Sequence, residues 1–128
     1  GLEKVAPKIL PLLFSDRFID DPGCATERER WLAMVSANDR IGATRAVRGV
    51  VSRRSILERI NAIRLPTLII TSDHDRATSP QKASNMHERI PDSKLVTIED
   101  AGHMTPAEQP DAVNRALLAF YDAAGTAD

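Results

Sequence analysis

Cysteine occurs once, at Cys24, so no internal disulfide can form and nothing points to an oxidising compartment. Neither charge sign is in surplus: 17 Lys and Arg stand against 18 Asp and Glu, a formal net charge of -1. That balance excludes the basic footprint of a nucleic-acid binder and leaves no acidic tail. Long hydrophobic runs are missing too. The apolar stretches, such as the one inside LPTLII, are only a few residues long, too short to span a bilayer. The opening GLEKVAPKIL has neither the charged start, the long apolar stretch nor the small-residue cleavage site of a signal peptide, so a cytoplasmic location is expected. Aromatic residues are scarce, at 4%, and the first residue is Gly rather than Met.

What remains, 42% hydrophobic and 27% charged residues over a length of 128, describes one globular domain with a modest core. The first half reads as helical. In LEKVAPKILPLLF the residues Leu2, Val5, Ile9, Leu12 and Leu13 recur at helical spacing, while Pro7 and Pro11 predict a kinked or short element. DDPG at 20–23 is a turn. Thr26 with Glu29 forms an S/T-x-x-E capping box, predicting a helix that carries Trp31, Leu32, Met34 and Val35. Asp39 is placed to cap a helix through Ile41, Ala43, Ala46 and Val47, and Ser55 with Glu58 predicts a further helix over SILERINAI.

The period changes after Pro66. TLIITS (67–72) is a continuous β-branched run that predicts a fully buried strand. Ser79 followed by Pro80 supplies an N-cap and a first-turn proline, predicting a helix over 80–90. Pro91-Asp92 ends it, and KLVTI (94–98) predicts a second strand. Ala112, Val113, Ala116, Leu117 and Phe120 mark a closing amphipathic helix. Strand, helix, strand, helix is a βαβα unit with parallel strands. Two such strands leave unpaired edges, so the fold class expected is α/β, as part of a larger sheet.

RLPTLIITSDHDRATSP followed by KLVTIEDAGHMTPAEQP resembles the C-terminal third of the α/β-hydrolase family, whose pattern is strand, Gly-x-x-Asp turn, helix, strand, Gly-His, then Glu-x-Pro. The match covers roughly residues 64–122, with Gly102-His103 as the Gly-His and Glu108 and Pro110 as the tail. The resemblance implies a helical cap over residues 1–63 and a C-terminal core portion over 64–128. The loosest part is the cap, which is similar to the small-cap branch of enol-lactonases, cofactor-free haloperoxidases and carbon–carbon bond hydrolases. It also implies Asp75 as the acid and His103 as the base of a Ser-Asp-His triad. Ser72 stands where the family usually has glycine, and this leaves Asp73 as an alternative acid.

In such a triad the histidine takes the nucleophile's proton while the carboxylate fixes its tautomer. The family's chain order is nucleophile, acid, histidine, so the nucleophile belongs upstream. None of Ser15, Ser36, Ser52, Ser55, Ser72, Ser79, Ser84 and Ser93 has the flanking glycines of a G-x-S-x-G elbow, and no oxyanion-hole His-Gly segment follows an early strand. The chain is therefore expected to be the C-terminal portion of a hydrolase of esters, lactones or related acyl compounds. By itself it should be inactive.

The expected partners are the missing N-terminal half or another copy of the chain, besides a small acyl substrate; no nucleic acid, membrane, metal or cofactor is expected. The competing reading is a non-catalytic binding or assembly module. The DHD at 73–75 lacks the further ligands a metal site needs. Trp31, Met34, Phe14 and Phe18 fit either an acyl pocket or ordinary core. Glu108 suits organising the turn after His103 rather than chemistry, and His74 and His87 suit the surface.

Overall fold

The computed structural model describes residues 1–125. A 3-10 turn over Leu2–Lys4 leads into helix α1 (Ala6–Leu13), in which Pro7 occupies the first turn and Pro11 sits inside. α2 (Asp16–Asp20) begins at Ser15, whose hydroxyl accepts the Phe18 N–H. A second 3-10 turn, Pro22–Cys24, is capped by Asp21 and runs straight into α3 (Ala25–Ser36). The capping box expected at Thr26 and Glu29 does not form. The Asp21 turn starts the winding one turn earlier, which leaves Thr26 inside the helix.

Asp39 does cap α4 (Arg40–Ser52), accepting the Gly42 N–H at 2.7 Å. The helix expected over SILERINAI is replaced by a turn and a short 3-10 segment, Ile60–Ala62. Its inward residues Leu57, Ile60 and Ile63 are spaced by three, the 3-10 period, and pack on the sheet while Ile56 stays exposed. Tertiary packing outweighs the capping signal there, and the Ser55 hydroxyl accepts only the Leu57 N–H.

The second half follows the expected order. β1 (Thr67–Ser72), α5 (Pro80–His87), β2 (Ser93–Ile98), a short α6 (Thr105–Glu108) and α7 (Pro110–Gly125) form a βαβα unit. The strands are parallel, with Thr67 opposite Ser93 and Ser72 opposite Ile98. β1 is buried only toward its C-terminal end rather than throughout. α5 is shorter than expected, ending before Pro91.

Alternation along the strands sends side chains to both faces. Ile69 and Leu95 pack with Ile60, Ala83 and Ile90 on one face. Ile70, Val96 and Ile98 pack with Ala101, Val113 and Leu117 on the other. A third cluster is aromatic: Phe14 stacks on Phe18 at 4.5 Å between ring centroids and meets Trp31 edge-on at 5.6 Å. The gap beside Phe14 and Trp31 holds only about 10 Å³, too little for an acyl group, so these two pack as core; Phe18 is buried but also edges a cleft of about 210 Å³ beside Ser15 and Glu108, and Met34 is half exposed. Among the described residues, no helix is long and apolar enough to cross a membrane.

Candidate functional site

Ligands of open parallel sheets gather at the C-terminal ends of the strands, and both turns of interest leave those ends. Asp75 follows β1 in a turn that its own side chain builds. Its Oδ1 accepts the backbone N–H groups of Ala77 at 2.8 Å and Thr78 at 2.7 Å, a local pattern favoured by Asp. Its Oδ2 accepts the Thr78 hydroxyl at 2.8 Å and faces His103 Nδ1 at 3.0 Å. Burial pushes the Asp75 carboxyl pKa up, but the Thr78 N–H, the His103 ring and the Thr78 hydroxyl together bring it below the ordinary carboxylate value.

An ionised carboxylate can only accept hydrogen bonds, so the geometry suits a proton on His103 Nδ1, and in the neutral ring that tautomer leaves the Nε2 lone pair free. The Asp75 side chain is 8% exposed and that of His103 is 37%, so the acid is shielded and the ring is reachable. Among the described residues, no serine hydroxyl hydrogen-bonds His103. Thr78, which the sequence did not single out, lies 3.3 Å from Nδ1 through its hydroxyl. The signal for it was local: a hydroxyl residue three places after an Asp at a turn.

Asp73, the alternative acid, is engaged elsewhere. Its carboxylate accepts the N–H groups of Asp100 at 3.0 Å and Ala101 at 3.3 Å, which join the two turns. Burial opposes ionisation of Asp73, yet those N–H groups hold its pKa below the ordinary value. Asp73, His74 and Asp100 come close enough to share a cation, but Asp100 also pairs with Arg17 at 2.8 Å and all three are exposed. His87 is exposed as well and meets the Ser93 hydroxyl. Burial, with the nearby Asp21 charge, raises the Cys24 thiol pKa, the opposite of what a reactive thiolate requires.

The turn carrying His103 is fixed from the N-terminal segment. Glu108 accepts the Gly102 N–H at 2.8 Å and the Ser15 N–H at 3.1 Å, and it also takes the Ser15 hydroxyl. The Met104 N–H reaches the Leu13 carbonyl at 2.8 Å. Gly102 is required by this approach: a Cβ there would lie 2.6 Å from the backbone of Phe14 and Ser15. Ser72, completely buried, donates its hydroxyl to the Gly102 carbonyl at 2.6 Å. Its backbone does not use the positive φ that glycine permits; the one non-glycine residue with positive φ among the described residues is Asp100, at 55°.

Comparison with known proteins supplies the wider frame. The family model described as TAP-like protein matches residues 34–127. Bifunctional epoxide hydrolase 2 of Mus musculus is 39% identical over 56 residues, which are 44% of this chain and 10% of that protein. A proline iminopeptidase of Thermoplasma volcanium is 32% identical over 76 residues, 59% of this chain and 25% of that one. The solved structure of a thermophilic esterase from Thermogutta terrifontis superposes with a TM-score of 0.84 at 28% identity. That superposition covers 95% of this chain and 44% of the esterase. The chain thus spans about a tenth to a quarter of these curated relatives and under half of the solved one.

Proposed function

The chain belongs to the TAP-like protein family of α/β-hydrolases, and from that premise we propose that it supplies the acid and base of a Ser-Asp-His triad. Asp75 orients His103, and His103 Nε2 takes the proton of a serine hydroxyl as that oxygen attacks an acyl carbon. The same nitrogen then returns the proton to the leaving group, and Asp75 stabilises the imidazolium in between. The substrate class is a carboxylic ester, a lactone or a related acyl compound. The nucleophile and the oxyanion donors come from an N-terminal half of the hydrolase, and this chain by itself does not turn over.

The observation that carries the reading is the 3.0 Å approach of His103 Nδ1 to a shielded carboxylate, which leaves the second ring nitrogen free. The test is hydrolysis of p-nitrophenyl acetate by the chain alone and by the chain produced together with an upstream half bearing G-x-S-x-G. Background rates alone and His103-dependent turnover in the pair are expected. Asp75→Asn in the pair should lower kcat by about four orders of magnitude, because the wrong tautomer then faces the serine. Turnover by the chain alone that His103→Ala abolishes would refute the division of labour. A paired enzyme indifferent to His103→Ala would favour a binding or assembly role instead.

A further inference from the structure

The orientation of a histidine ring is set first by the peptide that carries it, and the peptide before His103 is held at several points. The Gly102 N–H is taken by Glu108, and the Gly102 carbonyl accepts two hydroxyls, Thr105 at 2.9 Å and Ser72 at 2.6 Å. These links are not equivalent. Thr105 and Glu108 belong to the histidine's own turn and helix, so they shape that turn without relating it to the acid. Ser72 is the last residue of β1, opposite Ile98 in the sheet, and lies three residues before Asp75. It is completely buried, so its hydroxyl has no solvent alternative to the Gly102 carbonyl. Asp73 also joins the two turns at the Asp100 and Ala101 N–H groups, and the His74 N–H donates to the Ala101 carbonyl at 3.1 Å, but these bonds hold peptides before the one that adjoins His103. The strand end that presents the acid therefore also grips the carbonyl adjoining the base.

We propose that Ser72 is a positioning residue for His103: its hydroxyl, at the end of β1, locks the Gly102–His103 peptide in the orientation that delivers Nδ1 to Asp75. The proposal rests on the Asp75–His103 pairing proposed above. A glycine or alanine at this position would leave the carbonyl to Thr105 alone. The two turns would stay joined through Asp73 and His74, but the one bond from β1 to the carbonyl adjoining His103 would be lost, and the imidazole would sample orientations in which Nδ1 has no acceptor. Outside that pairing the preference for the Nδ1–H tautomer disappears.

The experiment is long-range 15N NMR of the histidine rings in the 128-residue chain, at a pH where the rings are neutral, for wild type and Ser72→Ala. Ile69→Val serves as the control, because it trims the core without touching either turn. In wild type the Nε2–H tautomer of His103 should be at most roughly a tenth of the population, rising to about a third or more in Ser72→Ala. The signals of His74 and His87 should stay in place, and Ile69→Val should lower thermal stability without moving the tautomer ratio. If Ser72→Ala does not fold, Ser72→Gly is read in the same way. A Ser72 variant that loses thermal stability as Ile69→Val does, yet keeps the wild-type ratio, would show a structural hydroxyl only and overturn the proposal. Mixed tautomers already in wild type would overturn the Asp75–His103 pairing, and the Ser72 proposal with it.

Discussion

The segment from β1 to α6 and the helix α4 have opposite relations to the rest of the molecule. In the first, side-chain bonds run from turn to turn: Ser72 to Gly102, Asp73 to Asp100 and Ala101, Asp75 to His103, Glu108 to Gly102 and Ser15. In α4 no residue is buried, and Ile41, Val47, Val50 and Val51 are each more than half exposed. A helix of 13 residues is marginal alone in water and normally draws its stability from an apolar face against a partner. The difference separates what the chain completes by itself from what it leaves open: the two turns are finished, while α4 presents an apolar stripe that no element of comparable size covers among the described residues.

Mutations in the two regions should differ several-fold in their cost to stability. Gly102→Ala should do most damage, because the added Cβ meets backbone rather than a movable side chain; a loss of about 3 kcal/mol or more is expected in urea unfolding. Glu108→Ala comes next. It strands the Gly102 and Ser15 N–H groups together, at a cost of about 2–4 kcal/mol in the same measurement.

Thr78→Val removes one hydroxyl donor from Asp75 while keeping the shape, and about 1 kcal/mol is expected. The smallest effect belongs to α4. Val47→Ser with Val50→Ser should change the stability of the isolated chain by less than about 0.5 kcal/mol, since neither side chain is buried. On the reading proposed above, the same pair should weaken association with an N-terminal half, read as native mass. Equal losses at Gly102 and at α4 would erase the distinction.

A pH series sharpens it further. The Asp75 pKa is lower in the folded chain than its ordinary 3.8, so near that pH the unfolded chain binds more protons. The stabilisation is complete above the ordinary value and is lost as pH falls through the lowered one. Asp75→Asn should flatten that part of the acid-unfolding curve, whereas the α4 variants should leave it unchanged.

How much of this was legible in the sequence follows the same division. Local signals with a single reading came through: Asp39 as a cap, Ser79-Pro80 as a helix start, and TLIITS and KLVTI as parallel strands. Asp75 and His103 were legible through the family resemblance, whose two motifs each combine strand, turn residues and helix in a short span. Signals that depend on packing misled. Ser55 and Glu58 announce a helix that Leu57, Ile60 and Ile63 tighten into a 3-10 turn against the sheet. Thr26 and Glu29 were overtaken by Asp21 upstream. The Ser72 hydroxyl bond was not legible, since its acceptor lies 30 residues away on another strand's turn. Ser72 looked like a mere departure from glycine. Glu108 was legible as an organiser of its own turn, but not as the acceptor for Ser15.

The bond between Ser15 and Glu108 also has a bearing on the order of assembly. It joins positions 93 residues apart and so closes most of the chain into one loop. Loop closure on that scale is entropically costly and is favoured only after the local pieces exist. The βαβα unit can pair its strands across a much shorter separation, and α1 with α3 can collapse around Phe14 and Trp31 independently. The seam between Ser15 and Glu108 is then expected to set last, docking the N-terminal segment on a histidine turn that Ser72 and Thr105 already hold.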